Sequence, residues 1–103
     1  AWARLVDVDD HRKEALVSLR ELATVPGSAG RRAKEALARA ADSSVTELLS
    51  RDAASKSALQ RAEAGRSLAR LGDLNRAVAL LADEDARVRA AVACSIVRLD
   101  ADP

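Results

Sequence analysis

The chain has 103 residues, 49% of them hydrophobic, which suffices for one packed domain and excludes a disordered segment. Seventeen basic residues stand against sixteen acidic ones, and a net charge of +1 supplies no global field to draw the chain to nucleic acid or a membrane surface. Nearly a quarter of the residues are alanine and Trp2 is the only aromatic, so the core has to be built from Leu, Val, Ile and Ala on closely approaching helices.

Asp9 or Asp10 is suited to cap a first helix whose Leu16, Leu19 and Leu22 share one face. Val25-Pro26-Gly27-Ser28 ends it, and Ser28 offers a cap for a second helix over residues 31–41. Ser44-Val45-Thr46-Glu47 has the form of a capping box opening a short third helix with Val45, Leu48 and Leu49. Ser55 or Ser57 starts a fourth helix through Leu59, Ala64, Leu68 and Leu71, and Gly72 gives it a left-handed stop. Asp73 caps a fifth over residues 74–82. Asp83-Glu84-Asp85 forms an acidic turn before a last helix over residues 86–99. Ahead of these, Ala1 to Val6, with Trp2, Leu5 and Val6 apolar, reads as the tail of an earlier helix or a hydrophobic cap. No segment alternates apolar and polar residues long enough for a strand.

Three of these helices end almost alike. Ala33 to Arg39 reads A-K-E-A-L-A-R, Ala64 to Arg70 reads A-G-R-S-L-A-R, and Val92 to Arg98 reads V-A-C-S-I-V-R. A period of roughly thirty residues points to stacked helix pairs, with units over residues 9–42, 44–72 and 73–100 in a single domain spanning residues 1–103. The short breaks make neighbouring helices antiparallel, pairing the first with the second, the third with the fourth and the fifth with the sixth. The absence of an initiating Met and the ending at Asp102-Pro103 lead us to expect a piece of a longer chain.

The third unit carries a resemblance. Leu80-Leu81-Ala82-Asp83-Glu84-Asp85-Ala86-Arg87-Val88-Arg89, followed by Val92, Ile96 and Leu99, resembles a HEAT repeat of the bacterial type also seen in phycobilin lyase subunits. Asp85, Val88, Arg89, Val92, Ile96 and Leu99 match that pattern. The second unit departs from it with Ser57 and Gln60, and the first keeps only its later half. The resemblance implies an all-α, right-handed superhelix of about three helix pairs, with the second helix of each pair on the concave side. It also implies that Asp85 and Arg89 serve to cross-link successive units. Val88, Val92, Ile96 and Leu99 then face the core, as do Ala64, Leu68 and Leu71 in the preceding unit.

Stacking aligns Arg39, Arg70 and Arg98 as a ladder of guanidinium groups. Arg32 and Glu35, Glu63 and Arg66, and Arg87 and Cys94 occupy the same exposed faces. Two accounts of the ladder stand side by side: it binds an acidic peptide, a phosphate group or a nucleic-acid backbone, or it complements the helix dipoles and covers neighbouring apolar surface.

Other candidates carry less. The acidic triplet lacks the glycine and ligand periodicity of a calcium loop. His11 has no nucleophile with which to act and is expected at the surface. Cys94 has no second cysteine to bond and cannot by itself make a zinc site. Gly27 and Gly30 beside Arg31 and Arg32 suggest a phosphate cradle at a helix start but lack the P-loop lysine and hydroxyl.

With no catalytic, metal-binding or cofactor-binding set, the expected function is a non-catalytic, cytoplasmic interaction or scaffold module of HEAT type. Its expected partner is a protein or acidic peptide. The alternatives are an accessory domain of a lyase-type enzyme, which needs an apolar groove, and nucleic-acid backbone binding through the arginines. No stretch reaches the roughly twenty apolar residues that span a bilayer.

Overall fold

A computed structural model describes residues 2–101, with side chains placed for residues 11–99. Among the described residues the chain is all-helical, without strands. The elements are α1 (Trp2–Leu22), α2 (Ser28–Arg39), a 3-10 turn (Ser43–Val45) leading into α3 (Thr46–Asp52), α4 (Ala58–Leu71), α5 (Leu74–Ala79) tightening into a 3-10 turn (Leu80–Ala82), and α6 (Ala86–Ala101).

Local chemistry accounts for most boundaries. The Ser57 side chain accepts from the Gln60 amide at the start of α4, and Asp73 accepts from the Arg76 amide at the start of α5. Gly72 closes α4 at φ 88, in the left-handed region. Three expectations are corrected. The first helix does not begin at Asp9 or Asp10 but runs through them from Trp2, so residues 2–6 belong to it; their side chains lie outside the described residues. Ser28 is the first residue of α2 rather than its cap, that place being taken by Gly27 at φ 92. The capping box at Ser44 does not form: Asp42 accepts from the Ser44 amide, and Val45 precedes α3 with no side-chain cap.

Hydrogen bonds repeat at the spacing of the three helix endings. The Asp42 amide donates to the Leu37 carbonyl and the Asp73 amide to the Leu68 carbonyl, each across a left-handed residue, Ala41 at φ 57 and Gly72 at φ 88. Further along, the Ser57 amide donates to Ser55 Oγ as the Asp85 amide donates to Asp83 Oδ1. Arg61 Nη1 reaches the Ser55 carbonyl at 2.9 Å, and Arg89 Nη1 reaches the Asp83 carbonyl at 2.7 Å. Side chains differ between these turns while the bonds they make are the same.

Packing gives two layers. Helix α1 packs on α2, α2 on α4 and α4 on α6, while α3 and α5 pack on α4 and the Leu80–Ala82 turn packs on α6. The third pairing is thus shared, with α5 itself held by α4. The principal extents of 50 × 35 × 18 Å describe a slab whose thin dimension fits two helix layers. Its radius of gyration of 14.9 Å exceeds the about 13 Å expected of a rounded domain of this length. Leu37, Val45, Leu68, Val88 and Val92 are the largest fully buried side chains, and seven of the buried core positions are alanines. Ile96 and Leu71 pack against this core as expected, whereas Leu22 and Leu99 lie at helix ends and are exposed.

Arg61 is the buried tie between the start of α4 and the turn before α6. Its Nε donates to Asp83 Oδ2 at 2.9 Å and its Nη2 to Asp83 Oδ1 at 3.2 Å, with the two side chains 11% and 8% exposed. The cross-link expected of Asp85 and Arg89 is therefore made by Arg61 and Asp83. A second tie of the same span joins Arg20 to Asp42, and Lys34 on α2 holds Asp52 at the end of α3.

Two glycines respond to substitution for different reasons. A Cβ on Gly65 would lie 2.3 Å from Val92 Cγ2 and 2.9 Å from Leu80 Cδ1, both on side chains with little room to move. The Gly65→Ala variant is expected to lose about 1–3 kcal/mol through overpacking, although alanine gains up to about 1 kcal/mol in a helix. Gly72→Ala meets nothing within 4 Å, so its loss of about 1 kcal/mol reflects backbone conformation alone. Urea unfolding measures both, and a stabilised Gly65→Ala protein would show that α4 and α6 do not approach closely.

Asp83 and Asp42 are equally sequestered, each 8% exposed, but Arg61 is 11% exposed and Arg20 47%, so water already shares the Arg20 pair and takes the place of Arg20 more readily than that of Arg61. R61Q should lower the unfolding midpoint more than R20Q. Equal losses would mean that burial of the Arg61 pair adds nothing.

Candidate functional site

The helix ends that look alike in sequence meet on one face. Arg39 ends α2, Arg70 sits in the last turn of α4 and Arg98 in the last turn of α6, and all three line a single open groove of about 410 Å³. From α2 the groove also takes Arg31 and Glu35, and from α4 it takes Glu63, Arg66 and Ser67. Helix α6 adds Ser95 and Leu99, the latter being the one apolar side chain among the described lining residues. This volume is within the range of small-ligand sites, but the lining is dominated by charge.

Charges in the groove are unevenly compensated. On the α2 side Arg39 donates to Glu35 at 2.9 Å one turn away, and Arg31 Nε lies 3.3 Å from Glu63 of α4. Arg66, Arg70 and Arg98 pair with no carboxylate among the described residues. Five arginines against two glutamates leave the α4–α6 end positive, although the whole chain is nearly neutral. Beneath the arginines, Ser95 Oγ donates to the Ala91 carbonyl at 2.9 Å, which leaves Ser67, 7% exposed, as the hydroxyl able to turn to a ligand.

Of the expected ligand-facing residues, Arg39, Arg66, Arg70 and Arg98 come together and Arg32 does not. Arg32 is exposed on α2 outside the groove, and Arg31 takes its place. The groove follows the row Arg31, Glu35, Arg39, spaced by four, rather than a row through Arg32. Ser67 and Ser95 were legible in principle, because each occupies the fourth position of the repeated ending, three residues before its arginine. Leu99 was expected in the core and instead borders the groove at 41% exposure.

The remaining candidates are local. Arg87 Nη2 donates to Asp85 Oδ2 at 2.8 Å, and the Arg87 amide donates to Asp85 Oδ1, so Asp85 works as a helix start. Cys94 is exposed and lies outside the groove. His11 is exposed beside Glu14, with 3.5 Å between Nδ1 and Oε2. Gly30 is buried, and a Cβ there would strike the Val25 carbonyl at 1.8 Å, so glycine lets α2 pass close to the preceding turn. A second cavity of about 350 Å³ lies beside Pro26, Gly27 and the Lys34–Asp52 pair.

Among the described residues no group of His, Cys, Asp and Glu is placed to hold a metal ion, and no helix is long and apolar enough to cross a membrane. No family model, no curated protein and no solved structure matches the chain.

Several carboxylates are held below their ordinary range by hydrogen bonds to the charged form. The Arg87 guanidinium and amide bring Asp85 down to about 2, and the Arg61 guanidinium lowers Asp83. Bonds from Ser44 lower Asp42, and Arg76 lowers Asp73. Unfolded aspartates titrate near about 4, so the fold gains stability from these groups above that pH and loses it as the pH falls through their folded values. The thermal midpoint should be level from about pH 7 to 5 and decline between about 4 and 2, less steeply in D85N. A midpoint level to about pH 2 would contradict the assignment.

Proposed function

We propose that this chain is a non-catalytic binding module, a short HEAT-like stack of helix pairs forming a right-handed superhelix. In this reading it holds an acidic segment of a protein partner across α2, α4 and α6. The observation that carries it is the convergence of Arg39, Arg66, Arg70 and Arg98 on one open groove, with three of the four lacking a described carboxylate partner. The stacked-repeat reading draws on the recurring turn bonds at Leu37 and Leu68, and at Arg61 and Arg89, together with the slab-like shape. Each is what neighbouring copies of one supersecondary unit produce when laid side by side.

A groove with one apolar described lining residue suits salt-linked peptide better than the apolar surface of a chromophore. Dipole complementation accounts for arginines in the last turns but not for their shared direction across three helices.

The test is affinity capture with the chain and with its R66E/R70E/R98E variant, both checked for helicity by circular dichroism. Proteins retained by the native chain should be lost by the variant, and raising salt should release them. Unchanged retention would reject the groove as the binding surface. Salt-sensitive retardation of duplex DNA that the same variant abolishes would instead favour nucleic acid.

A further inference from the structure

The uneven charge compensation says more about the ligand than that it is acidic. Arg66 and Arg70 are four residues apart on α4 and so project from one face, and Arg98 reaches the same groove from α6, which packs on α4. Three guanidinium groups without described partners border one small volume, with the Ser67 hydroxyl at its floor. A lone carboxylate brings one charge and two oxygens to such a site. A phosphate monoester brings about −1.5 to −2 at pH 7 and three strong acceptor oxygens, which match several guanidinium forks and a hydroxyl.

The neighbouring wall limits the length of the anion. Past the three arginines, the groove meets Glu35 and Glu63, whose charges are balanced by Arg39 and Arg31. A continuous polyanion would leave the unpaired guanidinium groups and meet ion pairs that are already neutral, so its next charges gain no counter-charge there. A peptide carries no such obligation, because its backbone between side chains is neutral.

Resting on the binding-module reading above, we infer that the α4–α6 end of the groove is a phosphate subsite. Arg66, Arg70 and Arg98, with Ser67, receive one phosphorylated serine or threonine of the partner's segment there. Paired Arg31–Glu63 and Arg39–Glu35 border the neighbouring residues of that segment.

The experiment measures fluorescence anisotropy with three labelled peptides of alternating Ala and Glu, identical except for a central serine, phosphoserine or glutamate, and with a short DNA duplex. Phosphopeptide should bind roughly tenfold tighter than the glutamate peptide, and millimolar inorganic phosphate should compete. Between about pH 5 and 7 its advantage should grow several-fold as the monoester loses its second proton near about pH 6, while the glutamate peptide changes little. R66Q/R70Q/R98Q should erase the advantage, and R32Q, outside the groove, should keep it.

Equal binding of the phosphoserine and glutamate peptides would overturn the phosphate subsite while leaving the acidic-segment reading intact. Failure of all three peptides, with capture still sensitive to R66E/R70E/R98E, would likewise overturn the subsite and leave the surface. Failure of the peptides together with insensitive capture would remove both. Duplex DNA bound more tightly than phosphopeptide, and lost in the triple variant, would replace a peptide with a nucleic-acid backbone.

Discussion

The groove depends on how closely α6 lies against α4, and Gly65 sets that distance. Its missing Cβ leaves room for Val92 and Leu80, both of which would have to shift to admit even a methyl group. Around it Ala62, Ala64, Ser67, Leu68 and Ala69 are also buried, so α4 is enclosed on most of its circumference by α2, α3, α5 and α6. A core this rich in alanine gains little per side chain from transfer out of water, and it compensates through proximity, since dispersion contacts accumulate only where backbones approach. The same proximity carries Arg98 into the groove with Arg66 and Arg70. Packing and the assembly of the groove thus share a cause.

Long-range ties compensate for small core residues at the turns. Arg20 reaches Asp42 and Arg61 reaches Asp83, in each case from one helix to the acidic residue that opens the turn before the second helix beyond it. Arg61 also takes the carbonyls of Ser55 and Lys56, so one guanidinium fastens the entry to α4 and the entry to α6 together. Its equivalent, Arg89, repeats only the carbonyl bond. This division explains why Asp83 and not Asp85 is the sequestered carboxylate: the turn directs the first acid inward to Arg61 of α4 and the second along its own helix.

What could be read in the sequence was whatever local chemistry decides. Ser57, Asp73 and Gly72 act where their residue types predict, because capping and left-handed termination need only the residue and its immediate backbone. Asp9 and Asp10 do not cap because their disfavour inside a helix is only a fraction of about 1 kcal/mol each, too little to stop a helix that the preceding residues continue. Ser44 was displaced by Asp42, whose side chain accepts from the Ser44 amide, and Ser28 by Gly27, which takes a φ of 92 that a serine would adopt only with strain. The arginine ladder was legible from the repeated endings, but choosing between Arg31 and Arg32 required knowing the angle at which α2 meets α4. One residue is about 100° around a helix, so that angle decides which side chain enters the groove. The partnership of Arg61 with Asp83 spans two turns and a helix, and no local pattern announces it.

The position of an arginine along its helix and its direction around the axis answer to different forces. The dipole favours a cation anywhere in the last turn and is indifferent to azimuth, so it explains why Arg39, Arg70 and Arg98 close their helices. It would be satisfied equally by three arginines pointing into solvent on three sides. Their common azimuth concentrates like charge, which is unfavourable wherever a carboxylate does not intervene, as it does beside Arg39 and Arg31 but not among the described neighbours of the other three. Net charge conceals this, because a chain at +1 can hold local excess wherever its acids are committed to turns and caps, as Asp42, Asp73, Asp83 and Asp85 are. An arrangement that spends acids on architecture and leaves guanidinium groups together in an open groove has the electrostatics of an anion site before any anion arrives.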